Sequence, residues 1–346
     1  MNKFRKAMII GLCAVPMLTT AVLGTENEDV DVSFNMTGKV STRALHLPKT
    51  DGTNLQSHLT LKMVLDVDGS FQVIGIARSG ETFAGNWDTF EDMDSPNDEF
   101  DPTLNVRNVY IQQRMEDHTL QIGAIPIENG LFQSAGLSGT GWIDGGRLKL
   151  KTQHGDVIVS AGSVSDIEEA DAFRRDFDFN YLEVKVSRKF FENVCVEAAV
   201  EQHDDTSFLK GAVTYDVAIA SDRMVKFLGE VIKDDEDGFK ALGGVEADIV
   251  EVLTGDKSGI KVNVSYQYMS EEFDNTRSAT SFWTQPGSTV MVRASGPLSS
   301  ELGLSWFTQM RINEESDRSY YIVGVSKALD FNEYYDYAKE KLIDRE

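Results

Sequence analysis

The residues best placed to do chemistry are charged side chains at alternate positions in otherwise apolar segments. Arg107, Arg147, Lys149, Lys151, Lys185 and Lys226 recur in this way, as do Glu183, Glu230, Glu246 and Asp248. Successive side chains of an extended segment point to opposite faces, so each of these charges falls on the polar face of its segment. Charges gathered on one face of several neighbouring segments sort ions by electrostatics, with no covalent step. Equally, they could keep a shared interior wet and pair with one another.

A second group is acidic. Glu81, Asp88, Glu91, Asp92, Asp94, Asp98, Glu99 and Asp101 follow one another with no Lys or Arg between them. Carboxylate oxygens attract calcium, which makes Asp92, Asp94, Asp98, Glu99 and Asp101 candidate Ca2+ ligands, although the spacing is not that of a regular calcium loop. A solvated surface loop accounts for the run as well. No other metal and no cofactor is expected. His46, His58, His118, His154 and His203 are scattered, without the His-x-x-x-His or Glu-x-x-His spacing that suits a metal. Gly-x-Ser-x-Gly is absent, so no serine elbow is in place and the sequence does not read as an enzyme.

The elements that would position these charges are strands. Ile260, Val262, Val264, Tyr266 and Tyr268 share one face of a segment, and Lys261, Asn263, Ser265 and Gln267 the other. Residues 59–65, 194–200, 225–231 and 302–307 alternate in the same way, and the count reaches about 16 strands. Short turns such as 67–69, 116–118, 153–156, 220–222 and 254–259 alternate with longer connections at 46–57, 80–104, 128–140, 165–178 and 271–287. An all-β transmembrane antiparallel up-and-down barrel has this parity, with short periplasmic turns and long outer loops. A secreted β-sandwich or propeller is the competing architecture. The acidic loop or the Gly-rich, nearly uncharged segment 128–140 could fold inward to narrow the lumen. Trp142, Trp283, Trp306, Tyr110, Tyr266, Tyr268, Tyr320 and Tyr321 would suit aromatic girdles at the membrane interfaces.

Lys3, Arg5 and Lys6 precede the apolar stretch 7–18 and the small residues that follow it. This predicts a secretory signal peptide over residues 1–24, cleaved after Ala21 or Gly24. Residues 25–331 would form the barrel and 332–346 a short charged, helical tail in the periplasm. The chain has 346 residues and a formal charge of −23, and loss of the signal removes three cations and no carboxylate. Such a charge repels nucleic-acid phosphates and predicts a channel that prefers cations, through its mouth and vestibule, while a local cluster of Arg and Lys at the constriction would reverse that preference. Two cysteines exclude a disulfide scaffold. A mean hydropathy of −0.27 excludes a polytopic helical protein but not a barrel, in which every second residue faces water.

Residues 105–162 add a resemblance. Gly123, Gly130, Leu131, Phe132, Trp142, Asp144, Gly145, Arg147 and Leu148 match the paired strands, Gly-rich loop and Trp-x-Asp-Gly-x-Arg-Leu strand of Gram-negative outer-membrane porins. The segment resembles alginate-export-like barrels in particular. It departs from them at Gly123-Ala124-Ile125, where Gly-Arg-Gln is common, and the aromatic that usually ends a barrel is met at Phe331 rather than at Glu346. The resemblance implies a passive channel for ions and small hydrophilic solutes, surrounded by outer-membrane lipid and lipopolysaccharide and able to form a homo-oligomer such as a trimer. It does not carry alginate over as the solute. The other functional class the sequence allows is a structural or adhesive barrel that holds a protein partner through its acidic loops.

Overall fold

The computed structural model describes residues 32–48, 52–80, 87–92, 103–134, 141–164, 171–172, 178–220, 223–254, 259–273, 286–314 and 319–332. Among them the strands are β1 (Val32–Leu47), β2 (Gly52–Val67), β3 (Phe71–Ser79), β4 (Asp88–Asp92), β5 (Leu104–Arg114), β6 (His118–Pro126), β7 (Trp142–Thr152), β8 (Gly155–Ser163) and β9 (Tyr181–Phe190). The second half of the chain adds β10 (Val194–His203), β11 (Thr206–Ala218), β12 (Met224–Asp234), β13 (Phe239–Asp248), β14 (Lys261–Met269), β15 (Gly287–Ser299), β16 (Leu304–Asn313) and β17 (Tyr320–Asp330). One short helix, α1 (Ile249–Thr254), follows β13.

Each strand pairs antiparallel with its neighbour in sequence, except that β3 pairs with β5. The last strand returns to the first, with Thr37 opposite Asp330 and His46 opposite Tyr321. The result is a closed 16-strand antiparallel barrel, with β4 as an extra strand hydrogen-bonded to β2 beyond the end of β3. Closure leaves no unpaired edge, which is what allows a sheet to sit in hydrocarbon. The seam extends one residue past β17, where Phe331 N–H donates to the Met36 carbonyl at 3.0 Å, and the Asn332 side-chain oxygen accepts from Met36 N–H at 2.8 Å.

Alternation sorts the side chains. Leu182, Val184, Val186, Val200, Leu209, Val213, Val231, Val264, Tyr266, Val323 and Val325 are exposed on the outer face. Their neighbours Glu183, Lys185, Glu201, Lys210, Glu230 and Ser265 are buried on the inner one. The turns 68–70, 115–117, 153–154 and 191–193 lie at one end of the barrel, and the connections 80–103, 127–141, 164–180 and 270–286 at the other. The sequence-based parity holds for these connections, whereas 204–205 and 235–238 are tight turns at the long-connection end and 249–260, with α1, is long at the other. The expected long loop 46–57 is absent, because β1 and β2 pair all the way from Val32–Val67 to Leu47–Gly52. Polar residues on both faces of that hairpin, such as Ser57 beside His58, hide its strand character in the sequence.

The aromatic pattern is also corrected. Tyr266, Tyr268 and Tyr321 do face outward, but Trp142, Tyr110 and Tyr320 are buried. Strict alternation would put Trp142 on the face opposite Arg147, yet Trp142 is fully enclosed, with the Arg107 guanidinium 6.0 Å from its ring. Gly145 lies between Trp142 and Arg147 on β7, at the centre of a glycine row in which it pairs with Gly123 of β6 and Gly162 of β8. A Cβ on Gly145 would fall 2.0 Å from the Ala161 carbonyl oxygen. The backbones approach here more closely than any side chain allows, while β7 stays in register with β6 and β8 through Gly145. Trp283 lies outside the described residues.

Candidate constriction and lumen wall

The connection after β6 does not stay outside the barrel. Its described residues, 127–134, run along the inner wall and are held there by charged side chains from five strands. At its start, the Glu128 carboxylate meets Lys149 Nζ at 2.5 Å and Arg147 at 3.5 Å, both on β7. Lys185 of β9 donates to the Glu128 carbonyl. Further along, Glu197 of β10 accepts the Leu131 N–H at 3.0 Å. Glu230 of β12 accepts the N–H groups of Gln133 and Ser134 at 2.7 and 3.0 Å, together with the Ser134 hydroxyl. Lys240 of β13 donates to the Ser134 carbonyl. Carboxylates of the wall thus take the loop's amides and lysines take its carbonyls, so buried charge and buried backbone satisfy each other.

Behind this strap the wall charges are themselves paired. Lys210 of β11 lies between Glu183, at 2.9 Å, and Glu201. Arg147 is 2% exposed and donates to Ser160 Oγ at 2.9 Å and to Gln121 Oε1 at 3.2 Å. Leaving one partner of such a set unpaired in the interior is costly, which fixes the geometry of the strap.

Glu128 lies in the loop, and its acidity follows from this setting. Burial pushes its pKa up, but Arg147, Lys149 and Lys185 outweigh burial and hold it below the ordinary glutamate value. A carboxylate with a depressed folded pKa stabilises its contacts above the ordinary value and loses that contribution as pH falls through the depressed one. The start of the strap should therefore persist when exposed glutamates begin to protonate and loosen only in more acidic buffer. Open-channel current recorded across an acid titration should show that onset, and the Glu128→Gln variant should not.

Of the charges singled out in the sequence, Arg147, Lys149, Lys185, Glu183 and Glu230 come together in or behind the strap. Lys226 and Glu246 face a cavity of about 140 Å3 under Gly130, Leu131 and Gln133. Arg107 is fully buried on β5 and donates to the Ser79 and Gly80 carbonyls at 3.3 and 3.0 Å. Lys151 is exposed at the short-turn end, opposite Asp156. Asp248 holds α1 instead, accepting the N–H groups of Val250, Glu251 and Gly259, as an N-cap residue does. The side chains of Asp92, Asp94, Asp98, Glu99 and Asp101 lie outside the described residues. Among the described residues, no three His, Cys, Asp or Glu side chains are grouped to hold a metal ion.

Sequence reasoning missed Glu197, Glu201, Lys210 and Lys240, although the same alternation marks them. It also missed the opposite side of the lumen. Arg43 of β1, Arg78 of β3, Arg293 of β15 and Arg311 of β16 join Arg107 on inward-facing positions of strands that do not touch the strap. The inside of the barrel thus carries a clamped loop on one wall and arginines on the other.

No family model and no curated protein matches the chain. Solved structures do. The outer membrane protein OpdK from Pseudomonas aeruginosa is 11% identical, with a TM-score of 0.56 over 86% of this chain and 99% of that one. A substituted variant of OccD1 (OprD) gives 7% and 0.55 over 88% and 97%. OccAB1 of Acinetobacter baumannii gives 9% and 0.55 over 87% and 97%. The likeness of residues 105–162 to alginate-export barrels is not what these comparisons found. At such identities the similarity is one of architecture, and the chain has the closed-barrel fold of the Occ/OprD structures.

Proposed function

We propose that the protein is a passive channel of the bacterial outer membrane, which lets small hydrophilic solutes and ions diffuse through a water-filled lumen. The observation that carries this reading is the strap. A barrel built only to present loops or hold a partner has no need of a loop clamped inside it by charged side chains from five strands. A 16-strand barrel encloses an aqueous lumen unless it is filled, and a loop folded along the wall narrows such a lumen into a selective passage.

The formal charge of −23 supports a mouth that concentrates cations. The arginines inside argue for the opposite preference at the narrow level, where field and solute are closest. We assign selectivity to that wall, favouring solutes that carry an anionic group. Lipopolysaccharide contacts, a homotrimer and Ca2+ at residues 92–101 belong to the same proposal and rest on the sequence. Liposome swelling tests the reading: proteoliposomes should swell in small sugars and more slowly as solute size rises. Under a salt gradient, Arg43→Gln with Arg293→Gln should move the reversal potential toward cations. Proteoliposomes that do not swell in any solute would remove the proposal.

A further inference from the structure

On the side opposite the strap a second feature reaches inward, a side chain at the start of β4. The connection between β3 and β5 sends β4 back against β2, where Asp88 pairs with Ser57 and Thr89 with Gln56. The neck of this connection is locked. Gly80, at φ +97°, donates its N–H to Asp88 Oδ1 at 3.0 Å and to Thr103 Oγ1 at 3.1 Å. Thr103 in turn donates to Asp88 at 2.9 Å, and the Gly80 carbonyl accepts from Asn105 at 2.8 Å and from Arg107 at 3.0 Å. Asp88 is buried, so the residue before it has a fixed place.

That residue is Trp87. Its ring lies 4.0 Å from the Arg43 guanidinium, 5.3 Å from the His58 ring and 6.3 Å from the Phe307 ring. Arg43 is held from the other side by Gln56, whose Oε1 accepts its Nε–H at 2.7 Å. The indole therefore covers one face of an arginine that would otherwise turn that face to the water-filled passage, and a guanidinium over an aromatic face is attracted to it. The contact is not needed to close the barrel, since β1, β2 and β17 pair along their length without it.

We propose that Trp87 is a selectivity-determining residue of the passage: it covers Arg43, reducing both the width of the lumen and the positive field that Arg43 offers to solutes. The proposal deepens the channel reading above and rests on it. It differs from a packing role because its effect on ion preference must pass through Arg43.

The test is the reversal potential and single-channel conductance of the purified full-length protein in planar bilayers under a KCl gradient. The unsubstituted protein is compared with Trp87→Ala, Arg43→Gln and the double variant, each checked for heat-modifiable migration. Trp87→Ala should raise conductance and shift the reversal potential toward anions, and the double variant should have the same reversal potential as Arg43→Gln alone. If Trp87→Ala does not fold, Trp87→Phe carries the test, with a smaller shift of the same sign. A Trp87 variant that leaves conductance and potential unaltered overturns the proposal, as does a potential shift that survives without Arg43. Absence of current from the unsubstituted protein removes the channel reading itself, and the proposal with it.

Discussion

Replacing Glu230 with alanine should open the channel while leaving the barrel folded. The Glu230 carboxylate accepts the amides of Gln133 and Ser134 and the Ser134 hydroxyl, and no other single side chain takes as many of the strap's donors among the described residues. Its loss strands two backbone N–H groups and removes the negative charge beside Lys240, which grips the carbonyl of the same Ser134. Breaking a buried charged set by removing one partner costs about 3–5 kcal/mol. Confined to the strap, that loss raises the detached population by roughly two to four orders of magnitude, at about 1.4 kcal/mol per factor of ten. The ladder on either side of Glu230, from Phe208–Asp234 to Ala218–Met224, contains only backbone pairs and is untouched. Single-channel records should therefore show larger and noisier openings, with unchanged heat-modifiable migration on gels. Glu197→Gln should act in the same direction and less strongly, since Glu197 holds the single amide of Leu131. Because both residues hold one loop, the double variant should fall short of the sum of the two.

Gly145→Val should do the reverse, damaging the barrel itself. The built Cβ meets the Ala161 carbonyl oxygen at 2.0 Å and the Gly162 Cα at 2.6 Å, and both belong to backbone that cannot swing away as a side chain can. Overpacking of a filled site costs about 1–3 kcal/mol and more where backbone must move. Here the movement would separate β7 from β8 beside the buried Trp142 and Ile143. The folded, heat-modifiable fraction after refolding into detergent should drop steeply. Gly243→Val, where the glycine has nothing within 4 Å of a built Cβ, should be far milder.

Most of the wall was legible in the sequence because one physical constraint writes it. Wherever the outer face must be apolar, period two is visible, and Glu183, Lys185 and Glu230 were found by that rule. The segment 128–140 was legible as a loop able to fold inward, since it is Gly-rich and nearly uncharged. Its anchors were not, because the contact of Glu197, Glu230 and Lys240 with Leu131, Gln133 and Ser134 depends on separations of 66 to 106 residues that no local pattern records. Trp142 was misplaced because alternation says which face a side chain leaves from and not what covers it: at the first position of β7, Trp142 belongs to a buried cluster with Ile125, Ile143 and Tyr181. The arginines at 43, 78, 293 and 311 were hidden by the bulk arithmetic: a net charge of −23 says nothing about which face a cation occupies.

The most direct test of the central claim is single-channel recording of the purified, heat-modifiable protein in planar bilayers, paired with the Glu230→Ala variant. A water-filled lumen narrowed by the strap requires ohmic current from the unsubstituted barrel and a larger, noisier current from the variant. A folded barrel that passes no current, or a variant whose current is identical, would contradict it.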